Sequence, residues 1–416
     1  MQLVLITLAL IAFASIVLEE VIHINKAKTT LFLGTLSWLL LFIFPQHGLS
    51  REETQLLLNE NLMEIATLWL FLMAAMTFVA FLNHHGLIES MIYKVLPKRI
   101  GEKSLMFLVA IFAFVFSSLS DNITATLISV ALVLSLKLER KKTIKFAVLV
   151  VFAVNSGGVS LITGDVTTLM IFLENKVDIQ DLLWLSIPSF VSVMFLCFLL
   201  SRSLQGVAVI EQQERREDLV GKRIAALFLC TIIATIVLNV TAQVPPVLTF
   251  LFGMSLMFLL GRIFYRGDKR ENMLDYLRVI EYDTLLFFLG ILLLVGMLKE
   301  IGVLDSLVQL YQLMPTVVAN FAMGLISSLV DNVPLTAAIL KSNIAMSPAQ
   351  WLSLTYAVGV GGSLLVIGSA AGIVAMSKVS EISFFSYMRY SFYLLLAYSL
   401  GYAGSYAVGL LLFAQA

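Results

Sequence analysis

The pattern Ser-Ser-Leu-x-Asp-Asn occurs twice, as Ser117–Asn122 and as Ser327–Asn332, 210 residues apart and each time inside an apolar run. An ionised carboxylate at bilayer depth is costly, and acids found there generally face a wet cavity or a transport path. A chain carrying one at equivalent places in two halves must fold so that both acids find such a site. The bilayer itself follows from composition: 60% of the 416 residues are hydrophobic and 13% charged, where a soluble globule carries nearer ~25% charged. Soluble enzymes and nucleic-acid partners are excluded, and the expected fold class is an all-α polytopic membrane protein.

Apolar stretches of the length that crosses hydrocarbon lie at 2–18, 29–44, 62–82, 181–200, 223–240, 246–263, 282–298 and 386–413, with interrupted ones at 146–173 and 351–376. The first is read as a span, since it lacks a basic n-region and ends in Glu19-Glu20 instead of a small-residue cleavage site. Segments 19–28, 83–104, 137–145, 201–223, 262–280 and 377–389 hold 23 of the 27 basic residues, leaving Arg51, Lys176, Lys299 and Lys341 elsewhere. Short basic loops stay in the cytoplasm. Both ends of Leu105–Leu136 are therefore on one side, and its length as helix, ~48 Å, falls short of the ~60 Å of two crossings.

A re-entrant helical hairpin over about 105–136 fits, with Asp121-Asn122 at its tip, and a second is expected over about 314–340 with its tip at Asp331-Asn332. Asp before the next helix is a good cap, and Pro334 suits a first turn. Five spans per half is an odd number, so the second half is inserted upside down, the inverted repeat of many secondary transporters. Matches of Gly86-Leu87-Ile88-Glu89-Ser90 to Gly302-Val303-Leu304-Asp305-Ser306, and of Gly34 to Gly253, agree. The expected units are 1–205 and 223–416, joined by a cytoplasmic linker at 206–222, with both termini on the outer face.

The interrupted spans supply the remaining chemistry. Asn155-Ser156-Gly157-Gly158 with Gly164-Asp165-Val166-Thr167-Thr168 sets glycines, hydroxyls and a third acid at midplane. Gly361-Gly362-Ser363 with Gly368-Ser369-Ala370-Ala371-Gly372 repeats that layout without the acid. Helix breaks at this depth free carbonyls that suit cations. Hard oxygen donors favour Na⁺ or Li⁺, and Asp121, Asp165 and Asp331 have no basic residue near them in sequence. Such carboxylates can take a cation or a proton in competition, the simplest physical basis for exchange. Lone intramembrane Ser and Gly read more readily as helix-packing residues. Cys197 and Cys230 have no second thiol nearby, and His23, His47, His84 and His85 form no metal set, so no cofactor is expected.

These motifs, together with Glu19–Lys28, resemble the NhaD-type Na⁺/H⁺ antiporter family of the ion transporter superfamily over essentially the whole chain. The resemblance implies that ion-coordinating and proton-linked positions fall on Ser117, Asp121, Asn122, Thr124, Asn155, Asp165, Thr167, Thr168, Ser327, Asp331, Asn332 and Ser369, beside Ser363 of the second break. Glu281 and Asp283, at a cytoplasmic span entrance, match positions linked to activity or pH response. Val366 departs from an expected serine and Asn61 from an expected histidine. The family further implies alternating access, a homodimer, lipid surroundings and a bacterial inner membrane.

Two rival readings differ in chemistry. A Na⁺-coupled dicarboxylate or citrate symporter would share the hairpins and breaks, but its anionic substrate would meet Asp at both tips where that group typically carries Ser-Asn-Thr. An intramembrane aspartyl protease would pair two acids on one water and would need neither mirrored hairpins nor glycine breaks. A purely structural scaffold would need none of the three acids.

Overall fold

In hydrocarbon no water is at hand to bond a free N–H or C=O, so a chain of this hydropathy closes its backbone bonds inside helices. The computed structural model, which describes residues 2–17, 19, 24–44, 50–87, 97–209, 219–264 and 272–413, is mostly helical. The first half contains α1 (Gln2–Val17), α2 (Lys26–Ile43), α3 (Arg51–His84), α4 (Glu102–Leu119), α5 (Asn122–Ser135), α6 (Arg140–Gly158), α7 (Val166–Leu173) and α8 (Ile179–Ser201). The second half contains α9 (Leu219–Ala242), α10 (Pro246–Phe264), α11 (Tyr276–Val279), α12 (Tyr282–Glu300), α13 (Asp305–Gln312) and α14 (Thr316–Ser327). It continues with α15 (Asn332–Lys341), α16 (Pro348–Gly361), α17 (Ala370–Lys378), α18 (Phe384–Met388) and α19 (Ser391–Phe413).

Among the described residues, eight helices are long and apolar enough to cross a membrane: α2, α3, α4, α8, α9, α10, α12 and α19. The chain is thus a polytopic helical membrane protein. A short antiparallel pair, β1 (Arg99–Gly101) with β2 (Val207–Val209), closes one edge. Beside it the buried Glu102 carboxylate is met by Lys142 Nζ at 2.7 Å.

The expected span 62–82 lies inside a longer helix, because Ser50 and Glu53 form a reciprocal capping box that starts α3 at Arg51, ahead of the apolar run. The expected hairpin stretches appear as two helix pairs, α4–α5 parted at Ser120-Asp121 and α14–α15 parted at 328–331. The interrupted stretches appear as α6 and α7 parted by 159–165, and as α16 and α17 parted by a 3₁₀ turn (Gly362–Leu364) and a further turn over 365–369. Of the expected linker, 210–218 lies outside the described residues, as do residues 88–90 of the Gly86 match.

Two sets of helices pack differently. In one, α2 crosses α12 with backbones in contact, since a Cβ on Gly34 would sit 2.5 Å from Gly290 O. Trp38 and Trp69 anchor this set by donating indole N–H bonds to Leu293 O and Leu285 O, at 2.9 and 2.7 Å. Helices α3, α9 and α10 continue it. In the other, α4 packs on α6 and α14 on α16, while α8 packs on α19 and is tied to α16 by the Tyr356–Ser192 hydrogen bond.

Contacts recur between the halves. Ser117 Oγ reaches Val154 O at 2.7 Å, and Ser327 Oγ reaches Val358 O at 2.8 Å. A Cβ on Gly157 would overlap Phe114 O, and one on Gly361 would overlap Gly324 O; each carbonyl lies three residues before the serine named. Helix α3 ends through Gly86 with φ 58° and α12 through Gly302 with φ 74°. Both are left-handed caps that favour glycine. Gly34 and Gly253 differ, the latter facing the Thr231 side chain.

Candidate functional site

Four half-length helices begin around one place, and each begins on a polar cap. Asp121 Oδ1 accepts from Thr124 N (2.8 Å), Asp165 Oδ1 from Thr167 N (3.0 Å), Asp331 Oδ1 from Val333 N (3.2 Å) and Ser369 Oγ from Gly372 N (3.3 Å). The sequence explains this locally: glycine-broken or turn backbone ends one helix, and an Asx or Ser side chain starts the next. The positive ends of the helix dipoles then help to hold ionised acids at this depth.

Each acid commits one oxygen to its cap and turns the other outward. Asp165 Oδ2 accepts from Asn332 Nδ2 at 3.3 Å, so the second tip touches the break of the first half. Asp331 Oδ2 takes Lys26 Nζ at 2.8 Å. Among the described residues, Asp121 and Asp165 make no ion pair. Behind the acids a chain of polar groups crosses the molecule. Ser117 Oγ lies 2.8 Å from Asn122 Oδ1, Asn122 Nδ2 is 3.4 Å from Asn155 Oδ1, and Asn155 Nδ2 donates to Ser369 Oγ at 2.9 Å. Thr167 Oγ1 and Asp165 Oδ2 face the bare Cα of Gly359. The buried Thr168 hydroxyl has no hydrogen-bond partner among the described residues. Hard oxygens with unused lone pairs are what a small monovalent cation needs.

A cavity of about 260 Å³ is lined by Asp121, Asn122, Asp165, Asp331 and Asn332, together with Glu19, Asn25, Lys26 and Asp283. A second, of about 250 Å³, adjoins it through Asp121 and reaches Thr124, His84 and Glu281. Burial, then the nearby charges of Asp121 and Asp283, push the Glu281 carboxyl up to about 7, partly offset by the Thr284 hydroxyl that donates to it at 3.2 Å. A third cavity, of about 370 Å³, lies at the far ends of α7 and α15 and is lined by Glu60, Glu64, Glu174 and Lys341. There Lys341 pairs with Glu64.

Not every expected residue faces these cavities. Ser117, Asn155 and Ser369 stand one layer back in the polar chain, and Thr168 is buried in α7. Ser327 bonds Val358 O, while Ser363 bonds Val360 O in its own turn and accepts at its carbonyl from Tyr387 OH. Cys197 is buried in α8 and Cys230 exposed on α9. His84 meets the Tyr276 ring edge-on and His85 lies tilted against it, while His23 and His47 lie outside the described residues. Lys26 was missed as a site residue, because its charge was assigned to a cytoplasmic loop. The signal that could have found it is its place in the Glu19–Lys28 motif.

The family described as "Citrate transporter" matches residues 2–361. The Na(+)/H(+) antiporter NhaD of Vibrio cholerae is 31% identical over 93% of this chain and 88% of its own length. That of Halomonas elongata is 30% identical over 98% and 88%. Sodium/proton antiporter 1 of Arabidopsis thaliana is 29% identical over 91% and 67%. With motifs, helix breaks and nearly full-length similarity in agreement, the chain belongs to the NhaD-type antiporters and shares the citrate-transporter family match over most of its length.

Proposed function

We propose that the chain exchanges Na⁺, and Li⁺, for H⁺ across the membrane by alternating access, with Asp121, Asp165 and Asp331 taking cation or proton in competition beside Asn122 and Asn332. The observation that carries this reading is the convergence of three capping carboxylates on one cavity. A carboxylate that accepts one backbone bond keeps an oxygen for an ion. The recurring contacts Ser117–Val154 and Ser327–Val358 support two inverted repeats, 1–205 and 223–416, with re-entrant hairpins. The cavity is lined by Glu19, Asn25, Lys26 and Asp283, from segments whose charge reads as cytoplasmic. In this proposal the cavity is the cytoplasmic entry, and the one beside Glu64 and Lys341 is the route outward.

The description of the family match raises citrate as a second substrate. Five acids, Glu19, Asp121, Asp165, Asp283 and Asp331, line the cavity against one cation, Lys26. A tricarboxylate would be repelled there, while a cation is drawn in. A homodimer in the bacterial inner membrane with both termini outside, as the family resemblance implies, belongs to the same proposal.

In everted vesicles loaded with a pH dye, added Na⁺ or Li⁺ should release stored protons, whereas citrate should not. Absence of any Na⁺-driven proton movement would overturn the reading. Glu281 adds a pH dependence whose sign follows from its carboxyl. Below about 7 it is neutral, and above it the added negative charge near Asp121 draws cations. Wild-type affinity for Na⁺ should therefore strengthen as pH rises through that value. Glu281→Gln fixes the neutral form, and its KM for Na⁺ at alkaline pH should be raised roughly three- to five-fold, as expected for a unit charge several ångströms away in a partly wet site. An unchanged KM-versus-pH curve would exclude this role.

A further inference from the structure

We propose that Lys26 is the resident counter-ion of the transport site, so that its ammonium takes Asp331 out of the exchangeable set and leaves Asp121 and Asp165 to carry the moving ions. The inference rests on the exchange reading above and narrows its competing acids from three to two. It starts from geometry: Lys26 Nζ lies 2.8 Å from Asp331 Oδ2, with 18% and 9% of the two side chains exposed. The ammonium sits over the Phe287 ring, with Nζ 4.6 Å from its centroid, and Phe287 lines the same cavity.

The attachment is built from several elements. Lys26 is the first residue of α2, and Asn25 caps that helix by accepting from Ala27 N at 2.8 Å while donating to Asp283 Oδ2 at 2.8 Å. Glu19 accepts from the Lys26 backbone N–H at 3.0 Å. The charged groups around the ammonium are thus Asp331 at the cap of α15, Glu19 before α2 and Asp283 on α12, with Asp121 and Asp165 lining the same cavity. Among the described residues, Lys26 pairs with Asp331, and the other four acids of the cavity have no ion pair.

The charge balance follows. A tethered ammonium at Asp331 occupies the place of one Na⁺ or proton, and unlike them it cannot leave with the cargo. Of three ionised site acids, one is neutralised permanently, so two exchangeable positive charges make the site neutral for a passage through hydrocarbon. Without Lys26 a third exchangeable charge is required, and at neutral pH a proton is the available one.

Lys26→Gln should therefore make the competition between H⁺ and Na⁺ steeper. In everted vesicles the slope of log KM for Na⁺ against pH should rise by about one, and the charge moved per Na⁺, read with a potential-sensitive dye, should change. Lys26→Arg should keep the wild-type slope, because a guanidinium also pairs with Asp331. Asp331→Asn leaves the ammonium unopposed and should raise KM for Na⁺ roughly ten-fold or more, while the double variant Asp331→Asn with Lys26→Gln should recover most of that loss.

A merely structural lysine would alter turnover or yield without moving the slope. The inference is overturned if Lys26→Gln keeps the wild-type slope and charge, or if Lys26→Arg behaves as Lys26→Gln. It is overturned equally if the double variant is no better than Asp331→Asn, a comparison that stands even where Lys26→Gln alone fails to reach the membrane. A wild type without Na⁺-driven proton release would instead remove the underlying exchange reading.

Discussion

Asp165→Asn should reduce Na⁺-driven proton release by about 10²-fold or more while leaving the protein folded, and Asp121→Asn should do the same. The two halves of that outcome have separate causes. An amide oxygen still caps α7 through Thr167 N, as Asp165 Oδ1 does at 3.0 Å, so the half-helix keeps its start. What is lost is the charge. A carboxylate touching a cation in a partly wet site contributes about 4 kcal/mol at an effective dielectric near ~20, and ~1.4 kcal/mol is ten-fold. Proton binding disappears with it, so neither ion of the exchange has its group.

The comparison with the second half sharpens the test. Ser369 fills the equivalent cap on α17 with no charge, accepting from Gly372 N at 3.3 Å. Ser369→Ala should therefore cost about 1 kcal/mol of stability, the usual worth of a cap, with only a moderate loss of transport. Asp165→Ser would give both breaks the same kind of cap, and the variant should fold but not exchange. Full exchange by Asp165→Ser, measured in vesicles beside a thermal unfolding control in detergent, would remove Asp165 from the ion path.

Much of this arrangement was legible in the chain because bilayer physics leaves few options. Apolar length marked the long helices, and the Asp-Asn and glycine motifs marked where the short ones start and stop. The helix starts capped by Asp121 and Asp331 and the breaks before Asp165 and Ser369 lie where those motifs put them. Other features were hidden for physical reasons. Lys26 lies 305 residues before Asp331, and loop charge alone made it a topogenic residue. Helix α3 overruns its apolar stretch because a capping box, not hydropathy, sets its start. The bond from Asn332 to Asp165 depends on how two breaks meet, which no local pattern encodes.

The largest structural effect is expected from Gly157→Ala. A methyl there would lie 2.8 and 2.9 Å from the carbonyl carbon and Cα of Phe114, backbone atoms that cannot rotate away. Helices α4 and α6 would have to separate, stretching the 2.7 Å approach of Ser117 Oγ to Val154 O. At the neighbouring Gly158 an added Cβ would meet the Asn122 side chain, with Oδ1 at 2.6 Å, so there the shift would fall on a site residue directly. Overpacking of this kind costs about 1–3 kcal/mol, and Tm in detergent should fall by roughly 5 °C. Exchange should fall further than stability, because an ångström of movement at a binding constellation can cost about 10²-fold. Gly101→Ala is the control, since nothing stands within 4 Å of its added Cβ. Gly361→Ala should repeat the Gly157 result through Gly324 if the two halves serve the site alike. A tolerant Gly361 with an intolerant Gly157 would mean that the first half, which holds Asp121 and Asp165, sets the precision of the ion path.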